Sequence, residues 1–352
     1  MRNAARSLSI GIVLTCLLSC DTSFNPSAPF QSRMVVYSVL TTESDTQYVR
    51  IYTSYNPPDN DPTKHSGEVT VGDAQVTMAE EGGPTFSFDA FALPQLPTWT
   101  GLDESRSLSG EVAYASAFRP SKGKTYVLTV NSASLGTVTA KTTVPGAGSV
   151  NIINPAALAN PCFYGQDFGL SAVLSPQAKG FLVRLFVDYL SPNIDGSYKQ
   201  KRLEVPMRRE MVSGWQGSFR EVYPRPTVRS THATAAVYDG DTLIYQPEER
   251  VPYNSFTFCQ KVDDLYTSGL EGCVHFQKAV LYLVQFDTPL WNYYKVAGAT
   301  QDRYSVRADE PDYTNIKDGV GVFGSMAVDS LVWPYIPRII PYHVPRATVG
   351  CQ

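Results

Sequence analysis

Short alternating runs of apolar residues constrain this chain more than any other feature of its sequence. In one such run, Val49 and Ile51 fall on one face of the segment. Tyr48, Arg50 and Tyr52 fall on the opposite face. This period of two is typical of β-strands, and no sustained 3.6-residue period competes with it. The 25 glycines and 25 prolines supply turns between the runs. The sequence therefore predicts an all-β protein.

The predicted strands fall into two groups. The first group lies within residues 33–146 and contains about seven strands, which suits an immunoglobulin-like or transthyretin-like β-sandwich. Residues 147–161 are rich in Pro, Gly, Ala and Asn, and we interpret them as a linker. The second group lies within residues 162–352 and forms a larger β domain with a Pro-rich tail. We expect one short helix in that domain, over residues 289–297.

The same alternation predicts the individual strands. The candidates in the first group are residues 34–40, 47–53, 69–71, 74–78, 86–88, 126–130 and 138–144. Those in the second group include residues 181–189, 274–286 and 325–333. Between two further apolar runs, Asp239 and Gly240 predict a tight hairpin, because both residue types tolerate positive φ.

The N-terminal residues have the pattern of a secretory signal peptide. Arg2 and Arg6 precede an apolar run over residues 8–18. A run of this length is too short to span a bilayer as a helix and matches the apolar region of a signal peptide. We therefore predict that residues 1–19 are removed from the mature protein.

The predicted cleavage site indicates a lipoprotein. The apolar run ends in LLSC at residues 17–20, and a small residue directly before cysteine is what lipoprotein signal peptidase cuts. Cys20 is thus the predicted lipid attachment site, and residues 20–32 form a lipidated tether. Acyl chains on Cys20 would stabilise membrane anchoring by about 0.8 kcal/mol per buried CH₂ group. An ordinary secretory peptide with an incidental cysteine is the alternative.

Four more cysteines remain in the predicted mature chain. They are Cys162, Cys259, Cys273 and Cys351, and an exported protein lies in a compartment that permits disulfides. We favour Cys259–Cys273, which are close in sequence, and hence Cys162–Cys351, while the other two pairings stay open. A zinc site is disfavoured because no CxxC is present and only His275 lies near a cysteine.

Charge and motif spacing disfavour several classes of function. The formal net charge is −4, and a nucleic-acid partner would require clustered Lys and Arg. The motifs GxSxG and HExxH are absent, and the four histidines have no acid or nucleophile at a recognised spacing. We therefore predict a protein that is not an enzyme and has neither a cofactor nor a metal.

Two features suggest ligand sites but have simpler structural explanations. Residues 319–324 satisfy GxGxxG, yet the chain ends without room for the βαβ unit of a dinucleotide fold. We interpret these glycines as a strand edge at which backbones approach closely. Trp99, Trp215 and Trp291 could line a sugar or hydrophobic-ligand surface, although burial in a core is the default interpretation.

Several fragments occur in a characteristic order after the lipoprotein cleavage site and its Pro-containing tether. They are GDAQVTM at 72–78, FRPSKGKTYVLTV at 118–130, TVP at 143–145, DTPLWNYY at 287–294 and NIKDGVGVFG at 315–324. Together they resemble a family of outer-membrane lipoproteins of unknown function, typical of Bacteroidetes-type bacteria. The last fragment is the most specific, and it also accounts for the GxGxxG match.

The resemblance implies an accessory role at a transporter, because genes of that family often lie beside those of TonB-dependent receptors. It implies no catalytic residues. We therefore expect a lipid-anchored outer-membrane protein that binds ligand or docks onto a TonB-dependent receptor for nutrient uptake. The alternative is an envelope-structural or outer-membrane assembly lipoprotein with no small-molecule ligand. The cargo and the side of the membrane stay open.

Overall fold

The computed structural model describes part of the chain. The described residues are 31–54, 69–92, 112–154, 168–193, 195, 197–212, 218–230, 234–239, 242–267, 275–298 and 313–333. The predicted signal peptide, Cys20, most of the tether and the Pro-rich tail lie outside them.

The all-β prediction is confirmed, because the described residues form eighteen strands and two helices. The first eight strands are β1 (Met34–Thr41), β2 (Thr46–Thr53), β3 (Gln75–Glu80), β4 (Thr85–Ala92), β5 (Val112–Ala117), β6 (Thr125–Ser132), β7 (Gly136–Thr143) and β8 (Ser149–Ile153). The next eight are β9 (Phe168–Val173), β10 (Gly180–Pro192), β11 (Tyr198–Glu204), β12 (Arg208–Met211), β13 (Phe219–Val222), β14 (Thr227–Val228), β15 (Thr234–Asp239) and β16 (Thr242–Tyr253). The remaining elements are α1 (Ser255–Thr267), β17 (His275–Phe286), α2 (Thr288–Gly298) and β18 (Val320–Trp333).

The hairpin prediction is confirmed, since Asp239 of β15 lies opposite Thr242 of β16. Two other segments differ from expectation. Residues 69–71 are not a strand and contribute only an isolated bridge between Thr70 and Tyr52. Residues 149–153, within the predicted linker, form β8 and pair with β9. Composition marks this segment only as rich in turn residues and does not reveal its pairing with the next strand.

Several elements were not predicted, among them β5, β9, β13, β14 and α1. Strand β5 was missed because three of its six residues are Ala, a residue type that is depleted in strands. Its Tyr114 is buried, and the phenol donates a hydrogen bond to the Val71 carbonyl oxygen at 2.8 Å. Helix α1 is a second helix beside the expected one. The signal for it was Asn254, whose side-chain oxygen accepts a hydrogen bond from the Thr257 backbone N–H at 2.8 Å and caps the helix.

Most strands belong to one twelve-stranded mixed sheet. Its order is β11-β10-β17-β18-β1-β2-β5-β4-β3-β6-β7, with β14 paired to β10. Strand β4 changes partner halfway, because residues 85–88 pair with β3 and residues 89–92 pair with β5. A second sheet has the order β15-β16-β9-β8.

The sheet folds over so that its distant strands share a first hydrophobic core. Val36 of β1 and Ile51 of β2 are buried in the same cluster as Met78, Leu128 and Val138 of β3, β6 and β7. Burial of such side chains contributes roughly 1.5–3 kcal/mol each. A second core forms between β10, β17, the smaller sheet and α1.

Strand β18 contributes to both cores. Its first half, residues 320–326, pairs in parallel with β1, and Phe323 is fully buried in the first core. Its second half, residues 326–333, pairs antiparallel with β17, and Trp333 packs against the second core. The last described strand lies in the region 162–352 and nevertheless contributes to the core of the N-terminal strands.

The glycines of the GxGxxG match lie at this crossing. Gly321 has a φ of +111°, and a Cβ there would lie 2.1 Å from the Val36 carbonyl oxygen. The expected close backbone approach is confirmed. Its place is different, however, because β18 lies between two strands and not at a sheet edge.

Candidate binding surface on the large sheet

The outward face of β1, β2, β5 and β4 carries aromatic side chains. The alternation that buries Val49 and Ile51 turns Tyr48 outward, where 51% of it is exposed. On the neighbouring strand Tyr37 is 37% exposed. Large aromatic groups in such positions stabilise no core, so this face is a candidate for binding.

Two rows of side chains cross this face, because residues paired in register point to the same side of a sheet. Each row has an alanine at its centre, a charged group on one strand and an aromatic ring on another. The rows are Tyr48–Ala115–Asp89 and Arg50–Ala113–Phe91.

The aromatic rings touch one another across the alanines. The centroids of Tyr48 and Phe91 are 6.0 Å apart, and their planes are inclined by 56°. On the other side, the ring of Tyr37 lies edge-on to Tyr52 at 6.5 Å and to Tyr293 of α2 at 6.2 Å. We call these five residues the aromatic face.

A shallow depression of about 330 Å³ adjoins this face. It opens where β4 leaves β5 to pair with β3, so that the two strands diverge beyond Asp89. Thr46, Ser87, Asp89 and Ser116 provide polar lining, whereas Phe91 and three alanines provide apolar lining. The mixture of a few polar groups with apolar walls is what ligand sites have in general.

The charged groups of the two rows are available to a ligand. Within the part of the chain that the structure describes, Arg50 and Asp89 make no ion pair and no side-chain hydrogen bond. They lie on strands separated by β5, so that their backbones are about 10 Å apart.

Helix α2 forms a wall of this surface and is held there by glycines. A Cβ at Gly180 would lie 2.1 Å from the ring of Trp291, and one at Gly324 would lie 2.7 Å from the Leu290 Cβ. The helix therefore packs directly on the strands. Trp291, a candidate sugar-stacking residue, serves as the anchor of this helix, while Trp99 and Trp215 lie outside the described residues.

A buried carboxylate caps the same helix. Asp287 is 2% exposed, and its Oδ1 accepts a hydrogen bond from the Leu290 backbone N–H at 2.8 Å. Its Oδ2 accepts hydrogen bonds from the hydroxyls of Thr142 and Ser325. Burial raises the pKa of Asp287 to about 6, against the opposing effect of these donors. The cluster joins β7, β18 and α2 and has the arrangement of a helix cap.

A second polar network joins the two parts of the fold. The Gln285 side chain is buried, and its amide nitrogen donates to the Asp329 Oδ2 at 3.1 Å and to the Gly146 carbonyl at 3.2 Å. Lys122 pairs with the other oxygen of Asp329 at 2.5 Å. Because these groups satisfy one another, the network is structural.

The outward face of β10, β11 and β17 is charged but internally paired. Arg184 binds Glu204 through two hydrogen bonds, and Arg202 binds Asp188 likewise. The two guanidinium groups lie 4.8 and 5.6 Å from the centroid of the Phe186 ring. The hydrogen bond from Arg202 lowers the pKa of Asp188. A face whose charges are already satisfied is a weaker candidate for binding than the aromatic face.

The structure reaches only some of the residues singled out in the sequence. Cys259 is disulfide-bonded, but Cys162, Cys273 and Cys351 lie outside the described residues, as does Cys20, so both favoured pairings stay predictions. Among the residues that are described, no group of three or more His, Cys, Asp or Glu side chains could hold a metal ion. The described helices also include none long and apolar enough to cross a membrane.

The aromatic face was not identified as a site in the sequence, although part of the signal was present. Tyr48, Arg50 and Tyr52 were placed on the face opposite the core residues of their strand. Of the two tyrosines, Tyr48 is half-exposed and Tyr52 is buried, so the exposed Tyr48 is the residue that could have marked the surface.

Comparisons with known proteins agree with the family resemblance in part. A family model described as Domain of unknown function (DUF4249) matches residues 21–167. The matched span contains β1 to β8, and therefore all four strands that carry the aromatic face. No curated protein matches the chain. Over this part, the chain is similar to a family whose function is not known.

Proposed function

We propose that this chain is a lipid-anchored outer-membrane accessory protein, which binds a ligand or docks onto a TonB-dependent receptor during nutrient uptake. The observation that carries the proposal is the sequence LLSC at residues 17–20, behind a basic and then apolar segment. Acylation at Cys20 would hold the folded part near the membrane through a tether of about a dozen residues, which spans at most about 40 Å.

The aromatic face supports a binding role. Tyr and Arg are enriched at the energetically important positions of binding surfaces, and here three exposed or half-exposed aromatic rings surround an unpaired arginine. The match to a family of unknown function supports the family resemblance, from which the link to TonB-dependent receptors is taken.

Membrane fractionation tests the anchor. Cys20→Ala should release the protein from the outer membrane, because no acyl chain can then be attached. Cys16→Ala is the matched control, since Cys16 lies within the predicted signal peptide and should leave fractionation unchanged. If the Cys20→Ala protein remains in the outer membrane as the control does, the anchor is wrong.

Affinity capture tests the partner. Outer membranes are solubilised gently, and the protein is captured by a C-terminal tag. A stoichiometric TonB-dependent receptor in the eluate would support an uptake role. Recovery alone or with outer-membrane assembly factors would contradict docking and favour the envelope-structural alternative.

A further inference from the structure

We infer that the depression beside Tyr48 and Phe91 binds a neutral carbohydrate. The inference rests on the ligand-binding part of the proposed function and names the ligand class. Three independent features of the surface carry it: the arrangement of its aromatic rings, its unpaired polar groups and the shape of the gap between β4 and β5.

The rings offer an apolar platform of the size of a sugar. The ring centroids of Tyr48 and Phe91 are 6.0 Å apart, and the two residues belong to the rows centred on Ala115 and Ala113. The C–H faces of a pyranose carry partial positive charge, and an aromatic face carries partial negative charge. Since the two ring planes are inclined by 56°, a sugar can pack its C–H face against one ring and its edge against the other without burying its hydroxyls.

The polar groups at the depression and beside it suit the hydroxyls of a bound sugar. Asp89 in the lining offers a carboxylate that only accepts hydrogen bonds, while Arg50 on the same face offers a guanidinium that only donates them. The hydroxyls of Thr46 and Ser87 do both, as those of a sugar do. One positive and one negative charge leave the surface near neutrality, so it lacks the excess cationic charge that a phosphorylated ligand would need.

The geometry of the gap disfavours an added peptide strand. β5 continues for only two residues, Ser116 and Ala117, beyond its last pair with β4. Strand addition gains its affinity from several consecutive main-chain hydrogen bonds, and a gap of this length cannot supply them. A volume of about 330 Å³ lies at the lower end of the range for small-molecule sites, about 300–1,000 Å³. One or two sugar rings are therefore the expected occupants.

The test measures binding of cellohexaose, maltohexaose, xylohexaose and mannohexaose to the full-length lipidated protein by calorimetry. A detergent without a sugar headgroup, such as an amine oxide, avoids competition from the micelle. We expect saturable binding of at least one oligosaccharide. Tyr48→Ala and Phe91→Ala should each weaken it by about tenfold or more, because each removes half of the platform.

Two further variants separate chemistry from folding. Asp89→Asn retains the shape but removes the charge, and we expect it to weaken binding about threefold to tenfold. Tyr245→Ala is the matched control, since Tyr245 is 68% exposed on β16, away from this face. It should leave binding unchanged. Unfolding curves for all variants confirm that the fold is intact.

Two results would overturn the inference. One is the absence of saturable binding to any of the four oligosaccharides at millimolar concentration. The other is binding that the Tyr48→Ala and Phe91→Ala variants retain at full strength. Neither result affects capture of a receptor from the outer membrane, so the proposed function can stand when the carbohydrate inference fails.

Discussion

Replacing the buried acid at the start of α2 provides a direct test of how this fold responds to pH. Asp287→Asn removes the titratable group and retains its shape. The amide oxygen can still accept the hydrogen bond from the Leu290 backbone N–H, and the amide nitrogen can donate to the hydroxyls of Thr142 and Ser325. Ser325 is also 3.1 Å from the Thr143 carbonyl oxygen, so its own proton keeps an acceptor.

The size of the expected effect on folding free energy follows from the pKa of Asp287. Burial raises the pKa of Asp287 from 3.8 to about 6. At about 1.4 kcal/mol for each pKa unit, the buried carboxylate costs about 3 kcal/mol of folding free energy when it is fully ionised. A raised folded-state pKa means that the folded protein binds the proton more tightly than the unfolded chain does. The contribution of Asp287 to stability is therefore most favourable below pH 3.8 and is lost as pH rises from there through about 6.

Equilibrium unfolding in urea, measured between pH 4 and 7.5, gives the quantity needed. The informative value is the difference in unfolding free energy between Asp287→Asn and the unmodified protein at each pH. Other carboxylates contribute equally to both proteins and cancel in this difference. It should rise by about 2 kcal/mol over that pH range, in favour of the variant.

A second variant guards against a general effect of removing negative charge. Asp89→Asn removes one negative charge from the surface, so a rise of equal size in both variants would indicate overall charge as the cause and not the buried cap. A difference for Asp287→Asn that is flat, or that falls with rising pH, would refute the assignment of a raised pKa to a buried cap.

Two other substitutions test the close backbone approach at Gly321 and the ion pair between Asp188 and Arg202. Gly321→Ala should lower the free energy of unfolding in urea by about 3 kcal/mol or more, because the new Cβ meets the Val36 carbonyl oxygen at 2.1 Å and φ is +111°. Gly123→Ala is the control, since Gly123 also has a positive φ but has open space around it, and it should lower the free energy of unfolding by only about 1 kcal/mol. Equal losses in the two variants would contradict the steric argument. Asp188→Asn should destabilise the protein by about 1–2 kcal/mol at neutral pH. Since Arg202 lowers the pKa of Asp188, this loss should disappear as pH falls through that lowered value, and a loss that persists in acid would show that the ion pair is not its cause.

The strands with a strong alternating pattern could be predicted from the sequence. Residues 34–40, 47–53 and 126–130 each lie within an observed strand, because their apolar side chains define one buried face. The hairpin at Asp239 was predictable for a local reason as well, namely the backbone tolerance of two turn residues. A strand or turn whose pattern lies within about ten consecutive residues could therefore be predicted from the sequence.

The long-range pairings were not predictable in this way. The parallel pairing of β1 with β18 joins residues almost 300 positions apart. Nothing in the sequence of either strand identifies the other as its partner. The fragment at residues 315–324 is the most specific part of the family resemblance, but its structural role could not be predicted. Asn315 explains part of that role, because its side chain accepts a hydrogen bond from the Phe323 N–H at 2.9 Å and donates to the Phe323 carbonyl at 2.7 Å. It thereby holds the segment that precedes β18 against the first residues of that strand.

At the candidate binding surface, the alanines of β5 explain both why this strand was not predicted and why there is space for a ligand. Strand β5 was not predicted because its outward positions are alanines, which contribute little to strand propensity. Those same small side chains leave the space across which Tyr48 and Phe91 meet and beside which the depression opens. Larger residues at positions 113 and 115 would have made β5 easier to recognise and would have filled the gap between the two rings. The small side chains of β5 thus both weaken its strand pattern in the sequence and leave space for a ligand at its outer face.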